Sequence, residues 1–564
     1  MNHQAPTTVL AGLVLGSALA LFAPASPASA GAPVAITGRA SVLPGAVEAA
    51  SPGDSTDAVV SGGGRYVIFS STARLVPADT DTVKDVYRKD LLTDGLERVN
   101  VTVDGAQASQ SSTAGAISPD GRYVAFWSWA TNLVPNDTNG KADVFVRDLL
   151  SKTTERVSVS SAEVQADGAS PPDQDGTMDL SFDGRYVAFS SSAKNLGADG
   201  DVNSDIFVRD RLAGTTELIS VNSAEASADG DSYRPSMSSD GRYVAFQSGA
   251  ANLVATDTNA STDVFVRDRQ AGTTVRASLQ DGSAQSPTGG SQPVISDSGE
   301  KVVFTSSSKL NAIDPNSTND VYVRTVPDAS TVVGSVGTDG WAAGLSQDPT
   351  ISGDGATIAF QSTSAKALAG GNAWEHLYTR KLTTTTRVTV SSAGSVATGT
   401  SSNPSLSTTG TVVAFDSKSP NLVVGDTGMK DVFFRRWAAM GPFLDQTAFV
   451  QRQLFDFTGS AVTGKGAAYE SDLRDKLHGR VYRIVYDAAP PAQRLNLSQA
   501  SPQELVATLA NENLFWRRHA QRLLVERGKQ DVVRQLLELV DDQSVDALDL
   551  NVGAIHALWT LHGL

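Results

Sequence analysis

The chain has 564 residues, with 61 acidic against 45 basic side chains and a formal net charge of −16. This charge argues against nucleic acid and anionic membrane surfaces as partners, because phosphate binding needs clustered lysine and arginine. The sequence has no cysteine, which excludes disulfides and thiolate metal sites, so a fold of this length depends on core burial.

The first thirty residues are typical of an export signal. Val9 to Phe22 is an apolar stretch, and Ala28, Ser29 and Ala30 form a small-x-small cleavage site. The amino end carries little positive charge, so a buried helix is the alternative. No other stretch is long and apolar enough to span a bilayer. We therefore predict a signal peptide over residues 1–30 and a secreted or extracytoplasmic mature protein.

A segment repeated about seven times occupies residues 61 to 437. Its clearest copies run from Ser118 to Asp148 and from Ser238 to Asp268. Each copy has a glycine in a turn, and these glycines are Gly64, Gly121, Gly184, Gly241, Gly299, Gly355 and Gly410. The period of roughly 55–63 residues predicts stacked units, none of which buries its apolar face alone.

Each copy divides into four short β-runs. Asp120-Gly121 predicts a tight hairpin between the first and second runs, because glycine accepts a positive φ. The second run is Arg122 to Phe126 and the third is Asp143 to Arg147, while Glu217 to Val221 is a fourth run in the next copy. Four antiparallel strands per repeat are typical of a propeller blade.

The ends of the array predict how the ring closes. The seventh copy stops after its third run, Asp431 to Arg435, whereas Arg39 to Val42 resembles the fourth run Arg156 to Val159. An N-terminal strand that completes the last blade would hide a sheet edge. An open solenoid is the alternative. The predicted fold is mainly β: a seven-bladed β-propeller over residues 31–437, closed by the N-terminal strand and followed by a small α-helical domain.

The S-x-D-G-x-x-[IV]-A-F core of these copies resembles the TolB-like propeller family, with its WD40-like or PD40 repeats. The resemblance covers roughly residues 38–437. It implies the fold, and it implies no single activity, because relatives include periplasmic scaffold proteins and the gating propellers of some peptidases.

The two faces of such a ring differ in loop length. Connections between strands one and two, and three and four, emerge on one face as short turns; we call it the tight-turn face. The other connections are long and emerge on the long-loop face. Because loops of that kind often carry binding residues, we predict that a protein, peptide or glycan binds the long-loop face.

Five copies carry the acidic spacing D-x-[DN]-x-x-x-D on the long-loop face. Carboxylates and amides at this spacing are ligands that Ca²⁺ accepts, although the EF-hand glycine and closing Glu are absent. The alternative is that they form Asx-turns and that the last Asp begins the third strand. The residues are Asp79, Asp81 and Asp85; Asp137, Asn139 and Asp143; Asp199, Asp201 and Asp205; Asp257, Asn259 and Asp263; and Asp314, Asn316 and Asp320.

Departures from the repeat give the ligand-binding candidates. In the sixth copy His376 replaces the usual Asp beside Trp374, and Trp341 precedes the same copy. The second copy has Trp127 and Trp129, which strand alternation would place on one side. Exposed aromatics beside carboxylates suit a sugar or peptide platform. Packing between blades and loop anchoring are the alternatives.

Catalytic motifs are few. The sequence has no G-x-S-x-G elbow, no H-E-x-x-H and no P-loop. A catalytic triad would have to use His376, and a two-carboxylate glycosidase remains open on spacing alone. The leading hypothesis is a secreted, non-enzymatic binding or scaffold protein. The alternatives are a glycan-active or quinoprotein-dehydrogenase-like enzyme and a Ca²⁺-stabilised structural module.

The composition changes after Trp437. Residues 438–500 are predicted as a connecting segment with one strand or hairpin, and residues 501–564 as helices. Ser501 to Glu504 is a capping box with proline at the first helical position. The segments HGRVYRIV, LFWRRHAQRLLVERG and ALWTLHGL resemble the end of sorbosone-dehydrogenase-like proteins, where HEAT-type repeats follow the propeller. The resemblance covers about residues 445–564, implies a docking tail and transfers no catalytic residue.

Overall fold

The computed structural model of the chain has two compact units, Met1–Thr458 and Gly459–Leu564. The structure describes residues 35–45, 53–172, 176–197, 203–337, 345–363, 374–381, 383–426, 428–437, 497, 500–511, 514–527, 529–541, 554, 556–557 and 560–561.

Seven four-stranded antiparallel sheets form the first unit, as predicted. The first strands of blades one to seven are β2 (Ser55–Val60), β6 (Ser112–Ile117), β10 (Met178–Leu180), β14 (Ser232–Met237), β18 (Ser291–Ile295), β22 (Ser346–Ile351) and β26 (Ser401–Leu406). The second strands are β3 (Tyr66–Ser71), β7 (Tyr123–Ser128), β11 (Tyr186–Ser191), β15 (Tyr243–Ser248), β19 (Lys301–Ser306), β23 (Thr357–Ser362) and β27 (Val412–Ser417). The third strands are β4 (Asp85–Asp90), β8 (Asp143–Asp148), β12 (Asp205–Asp210), β16 (Asp263–Asp268), β20 (Asp320–Thr325), β24 (His376–Lys381) and β28 (Asp431–Arg436). The fourth strands are β5 (Leu96–Arg98), β9 (Thr153–Arg156), β13 (Thr215–Leu218), β17 (Thr273–Arg276), β21 (Ser330–Val333), β25 (Thr384–Arg387) and, in blade seven, β1 (Ile36–Arg39).

The first strands surround the central channel. Each contacts the first strand of the next blade, and β26 contacts β2, so the contacts run around a closed ring. The second and third strands carry the apolar core: Phe126 and Phe145, for example, stack within blade two and are fully buried. Burial between neighbouring sheets therefore stabilises the array, as the repeat predicts.

The N-terminal strand closes the ring, as predicted. β1 pairs antiparallel with β28 and is the outer strand of blade seven. Its bounds differ from the prediction: the paired strand ends at Arg39, and the predicted Arg39 to Val42 segment mostly follows it. The chain bends there, although the Ala40 amide still donates to Val432 at 2.7 Å. The fourth strands of the other blades likewise end at or near the position of this arginine.

The repeated S-x-D-G-R-Y motif forms one hydrogen-bonded turn. In blade two the Ser118 hydroxyl donates to Asp120 at 2.6 Å and accepts from the Tyr123 amide at 2.9 Å. The Arg122 guanidinium makes two bonds to Asp148, at 2.9 and 2.6 Å. This pairing is repeated in blades one, three and four, which gives the arginine and aspartate a structural role.

We expect Gly121→Ala to destabilise the propeller by about 2–4 kcal/mol, because the turn needs both a positive φ and close approach. Gly121 has φ +76°, and a Cβ there would overlap the Tyr66 ring of the preceding blade. Gly140→Ala is the matched control, because Gly140 has φ +62° with nothing within 4 Å. Chemical denaturation of both variants separates the cost of the positive φ, which both share, from the cost of the close approach to Tyr66, which only Gly121→Ala has. Equal losses would contradict the steric contribution.

The second unit contains α1 (Pro502–Thr508), α2 (Leu514–Arg527), a 3₁₀ turn (Gln530–Val532) and α3 (Val533–Asp541). The predicted capping box is present: the Ser501 hydroxyl accepts from the Glu504 amide, and the Glu504 carboxylate accepts from the Ser501 amide. The strand predicted within residues 438–500 lies outside the described residues. Within the described parts of the chain, no helix is long and apolar enough to cross a membrane.

Candidate functional site

The acidic loops of the long-loop face are tied into the blades by hydrogen bonds. In blade two Asp143 is fully buried and accepts from the Ser158 hydroxyl at 2.6 Å. Its second oxygen accepts from the Asn139 and Gln165 amides, both at 3.1 Å. The last aspartate of the pattern is therefore an internal acceptor that fixes the start of the third strand.

The middle residues of the pattern form Asx-turns wherever the structure describes them. Their side-chain oxygens accept from the amide two residues ahead, at 2.7–2.9 Å. The residues are Asp81, Asn139, Asn259 and Asn316. Asp199 and Asp201 lie outside the described residues. This geometry agrees with the turn alternative, while Ca²⁺ binding stays a prediction.

A buried or half-buried arginine supplies positive charge in three of these blades. Arg98 lies 3.2 Å from Asp85 in blade one, and Arg276 lies 3.1 Å from Asp257 in blade four. Arg156 lies 3.5 Å from Asp137 in blade two. In blade one, single oxygens of Asp79, Asp81 and Asp85 lie within 4.8 Å of one another, as a metal site would require. Because Arg98 already neutralises that group, a cation would have to compete with it.

Blade five lacks this arginine. Val333 occupies the position, paired opposite Tyr322 as Arg156 is paired opposite Phe145. Asp320 is fully buried and accepts from the Ser335 hydroxyl at 2.7 Å, while Asp314 accepts from the Tyr322 hydroxyl at 2.5 Å. Burial, with a contribution from the Asp314 charge, raises the pKa of Asp320 to about 7. Blade five therefore holds a buried carboxyl without a positively charged neighbour at this position.

The tryptophan candidates differ in exposure. Trp127 is 8% exposed and packs between blades two and three, whereas Trp129 is 43% exposed. β7 ends at Ser128, one residue before Trp129, and the common side of the two tryptophans stays a prediction. Trp374 is 46% exposed, and Trp341 lies outside the described residues. Trp129 and Trp374 remain available to a ligand, and Trp127 fits the packing alternative.

His376 is buried, with 1% exposure. Its Nδ1 lies 2.9 Å from the Thr389 hydroxyl, so it takes the place that Asp143 has beside Ser158. Burial and, secondly, the charge of Arg387 lower the pKa of His376 to about 4. A buried neutral imidazole is not placed to serve an exposed triad.

We expect His376 to reduce stability in mild acid. Its pKa is lower in the folded chain than the ordinary 6.5, so its contribution is fully present above pH 6.5 and is lost as pH falls through about 4. His376→Asp restores the aspartate that the sister blades have at this position, close to the positive charge of Arg387, and should remove this loss. Thermal unfolding of both proteins from pH 7 to pH 4.5 tests this. Parallel pH profiles would contradict the expectation.

A ring of polar residues lies at the channel mouth, and none of these residues belongs to the motifs described above. The innermost strands start on the long-loop face, and five of them have a β-bulge whose central residue is left-handed, with φ between 49° and 62°. We call these five residues the collar. They are Asp57, Arg234, Gln292, Asp348 and Asn403. Prolines that directly follow four of them were the available signal.

Collar residues bond to one another and to other residues of their own blades. The Gln292 amide donates to Asp348 at 2.7 Å across the blade five–six boundary. Lys84 lies 2.8 Å from Asp57. The buried Asp416 accepts from the Asn403 side chain at 2.8 Å. The mouth is therefore lined by carboxylate, amide, ammonium and guanidinium groups that are half-buried or exposed.

The comparisons with known proteins assign no family and no activity to this chain. No protein-family model and no curated protein matches the sequence. The β-propeller domain of the Trilobed protease from Pyrococcus furiosus is 12% identical, with a TM-score of 0.43 over 69% of this chain and 97% of that one. TolB from Acinetobacter baumannii is 15% identical, with a TM-score of 0.32 over 59% and 62%. A putative TolB from Agrobacterium tumefaciens is 15% identical, with a TM-score of 0.33 over 63% and 98%. The resemblance of the C-terminal tail stays a prediction, and the chain is a seven-bladed β-propeller by its own sheet topology.

Proposed function

We propose that this is an exported, non-enzymatic binding protein that holds a polypeptide segment of a partner at the collar of its long-loop face. The collar carries the proposal. Bulges and prolines blunt exposed strand edges, which explains the backbone. They do not explain the side chains of the collar, which combine carboxylates, a guanidinium and amides at equivalent positions of the blades.

A peptide suits this set of groups better than a neutral glycan does. Peptides present charges of both signs together with amide donors and acceptors, which match Arg234, Asp348 and Gln292. The exposed Trp129 and Trp374 favour a glycan instead, because aromatic faces stack on sugar rings. A glycan is therefore the other outcome of the test.

The test is selection of random phage-displayed peptides on the mature protein, followed by titration of synthetic peptides. Arg234→Ala and Asp348→Ala should each weaken binding by about tenfold, or about 1.4 kcal/mol. Leu150→Ala is the control, because Leu150 is 73% exposed in a turn of the opposite face. Peptides that bind all three variants equally, or binding found only on a glycan array, would refute the proposal.

The helical tail is proposed to dock a partner or a second copy. Deletion of residues 438–564 should then leave the propeller folded and the collar active in the peptide titration. Loss of the cooperative unfolding transition on this deletion would show instead that the tail completes the core.

A further inference from the structure

The channel is narrowed on the tight-turn face by backbone hydrogen bonds between the turns of neighbouring blades. In the turn between the first and second strands of a blade, a backbone amide donates to a backbone carbonyl in the same turn of the next blade. The bonds run from Gly63 to Pro119, Phe182 to Ser239, Ser239 to Asp297, Asp297 to Gly353, Asp354 to Thr408 and Thr408 to Gly62, at 2.7–3.2 Å. Among the described residues, the step from blade two to blade three has no such bond; Pro119 stands at the position of the donor Phe182 and has no amide hydrogen.

The ring sets the width of this end of the channel. Hydrogen-bonded backbones lie about 4.8 Å apart, and a ring of seven turns at this spacing would place their axes roughly 5.5 Å from the centre and leave an opening roughly 7 Å wide. An extended peptide with side chains needs about 10 Å. The backbone of the turns alone therefore leaves too little room for a polypeptide at this end, and side chains can only narrow the opening further.

The interior between the turns and the collar is accessible. Val59, Val294 and Thr350, the penultimate residues of three innermost strands, are half-buried although they lie in the middle of the unit. The next residue of each strand, such as Ile351, is buried against the neighbouring blade.

We infer that the channel is a blind well for polypeptides, entered only through the collar, so that the ligand is the end of a chain rather than a threaded segment. This inference rests on the proposed function for the identity of the ligand. The shape of the well can be tested without any ligand. A propeller that served as a passage would need both ends open.

The chain has no cysteine, so a single Thr350→Cys substitution reports access to the well. We expect a fluorescein maleimide to label it. Filling the mouth with Gln347→Trp and Ser402→Trp should slow labelling by an order of magnitude or more. Both sites match the position of Tyr233, where blade four already carries a half-buried aromatic ring. An exposed Val424→Cys protein, with and without the two tryptophans, controls for thiol reactivity and folding.

Unchanged labelling in the filled protein would show entry through the tight turns and would overturn the inference. Failure to label Thr350→Cys in the open protein would also overturn it. Peptides selected at the collar give a second readout: head-to-tail cyclisation should abolish their binding, and equal binding of linear and cyclic forms would refute a bound chain end. If no peptide is selected, the proposed function fails while the labelling result still decides the shape of the well.

Discussion

A protein that lacks residues 1–43 is expected to lose roughly 5 kcal/mol or more of unfolding free energy, because β1 carries buried polar groups as well as a strand pairing. The Ser41 hydroxyl donates to the buried Asp431 at 2.7 Å, and Arg39 lies 3.2 Å from the same carboxylate. Thr37 accepts from Arg435 at 2.7 Å and donates to Val390 at 2.6 Å. Removal of the strand takes Arg39 and Ser41 from Asp431 and the Thr37 hydroxyl from Arg435, which keeps its bond to the Val390 carbonyl at 3.0 Å. Denaturation of the mature and truncated proteins measures the loss.

A synthetic peptide of residues 35–45, added in trans, should restore the stability of the truncated protein. The same peptide with Arg39→Ala and Ser41→Ala is the matched control, because it retains the backbone pairing and lacks the groups that meet Asp431. Equal rescue by both peptides would assign the effect to backbone pairing alone. No loss on truncation would refute closure by β1.

Local sequence determined the blade and its closure because the same residues recur in the same contacts. Thr37, Arg39 and Ser41 occupy the positions of Thr154, Arg156 and Ser158 in blade two, so an isolated N-terminal strand could be matched to its place. The acidic spacing also marked a real structural unit. The carboxylate oxygens of blade two contact the Gln165 amide and Arg156, and the spacing of the acidic residues alone could not distinguish these partners from Ca²⁺.

The collar could not be found in this way because it is a property of the ring. Asp57 and Arg234 lie far apart in the sequence and meet one channel mouth only when the first strands are brought together. These positions are equivalent in the repeat, but their residue types differ from copy to copy, so no pattern in the sequence marks them. Likewise, Trp127 lies within β7 and Trp129 lies just after its end, and the two-residue spacing between them does not reveal this difference.

Exchange of one residue between blades two and five should move stability in opposite directions. Arg156→Val is expected to cost about 2–4 kcal/mol at pH 7, because Asp137 and Asp143 lose the positive charge that lies 3.5 and 3.6 Å from them. Both carboxylates are buried. Val333→Arg should instead stabilise blade five above pH 7 by lowering the pKa of Asp320. Denaturation of both variants at pH 5 and pH 8 tests the pair.

The pH dependence follows from the direction of the Asp320 shift. With a folded pKa of about 7 against an ordinary 3.8, the folded chain binds a proton that the unfolded chain releases. That contribution is fully present below pH 3.8 and is lost as pH rises through 7. The advantage of Val333→Arg should therefore grow from pH 5 to pH 8. An advantage independent of pH would show that Asp320 is not the group responsible.

The same variant decides the Ca²⁺ prediction. Where Arg98, Arg156 and Arg276 neutralise their loops, an added cation gains little, because it must displace a charge already in place. Blades three and five offer carboxylates without that competitor, because Leu218 and Val333 occupy the position of the arginine, so any rise in melting temperature with Ca²⁺ should depend on these two blades. We expect Val333→Arg to reduce such a rise, whereas Arg156→Val should enlarge it. A Ca²⁺ response that is identical in the parent and in both variants would place the ion elsewhere on the protein.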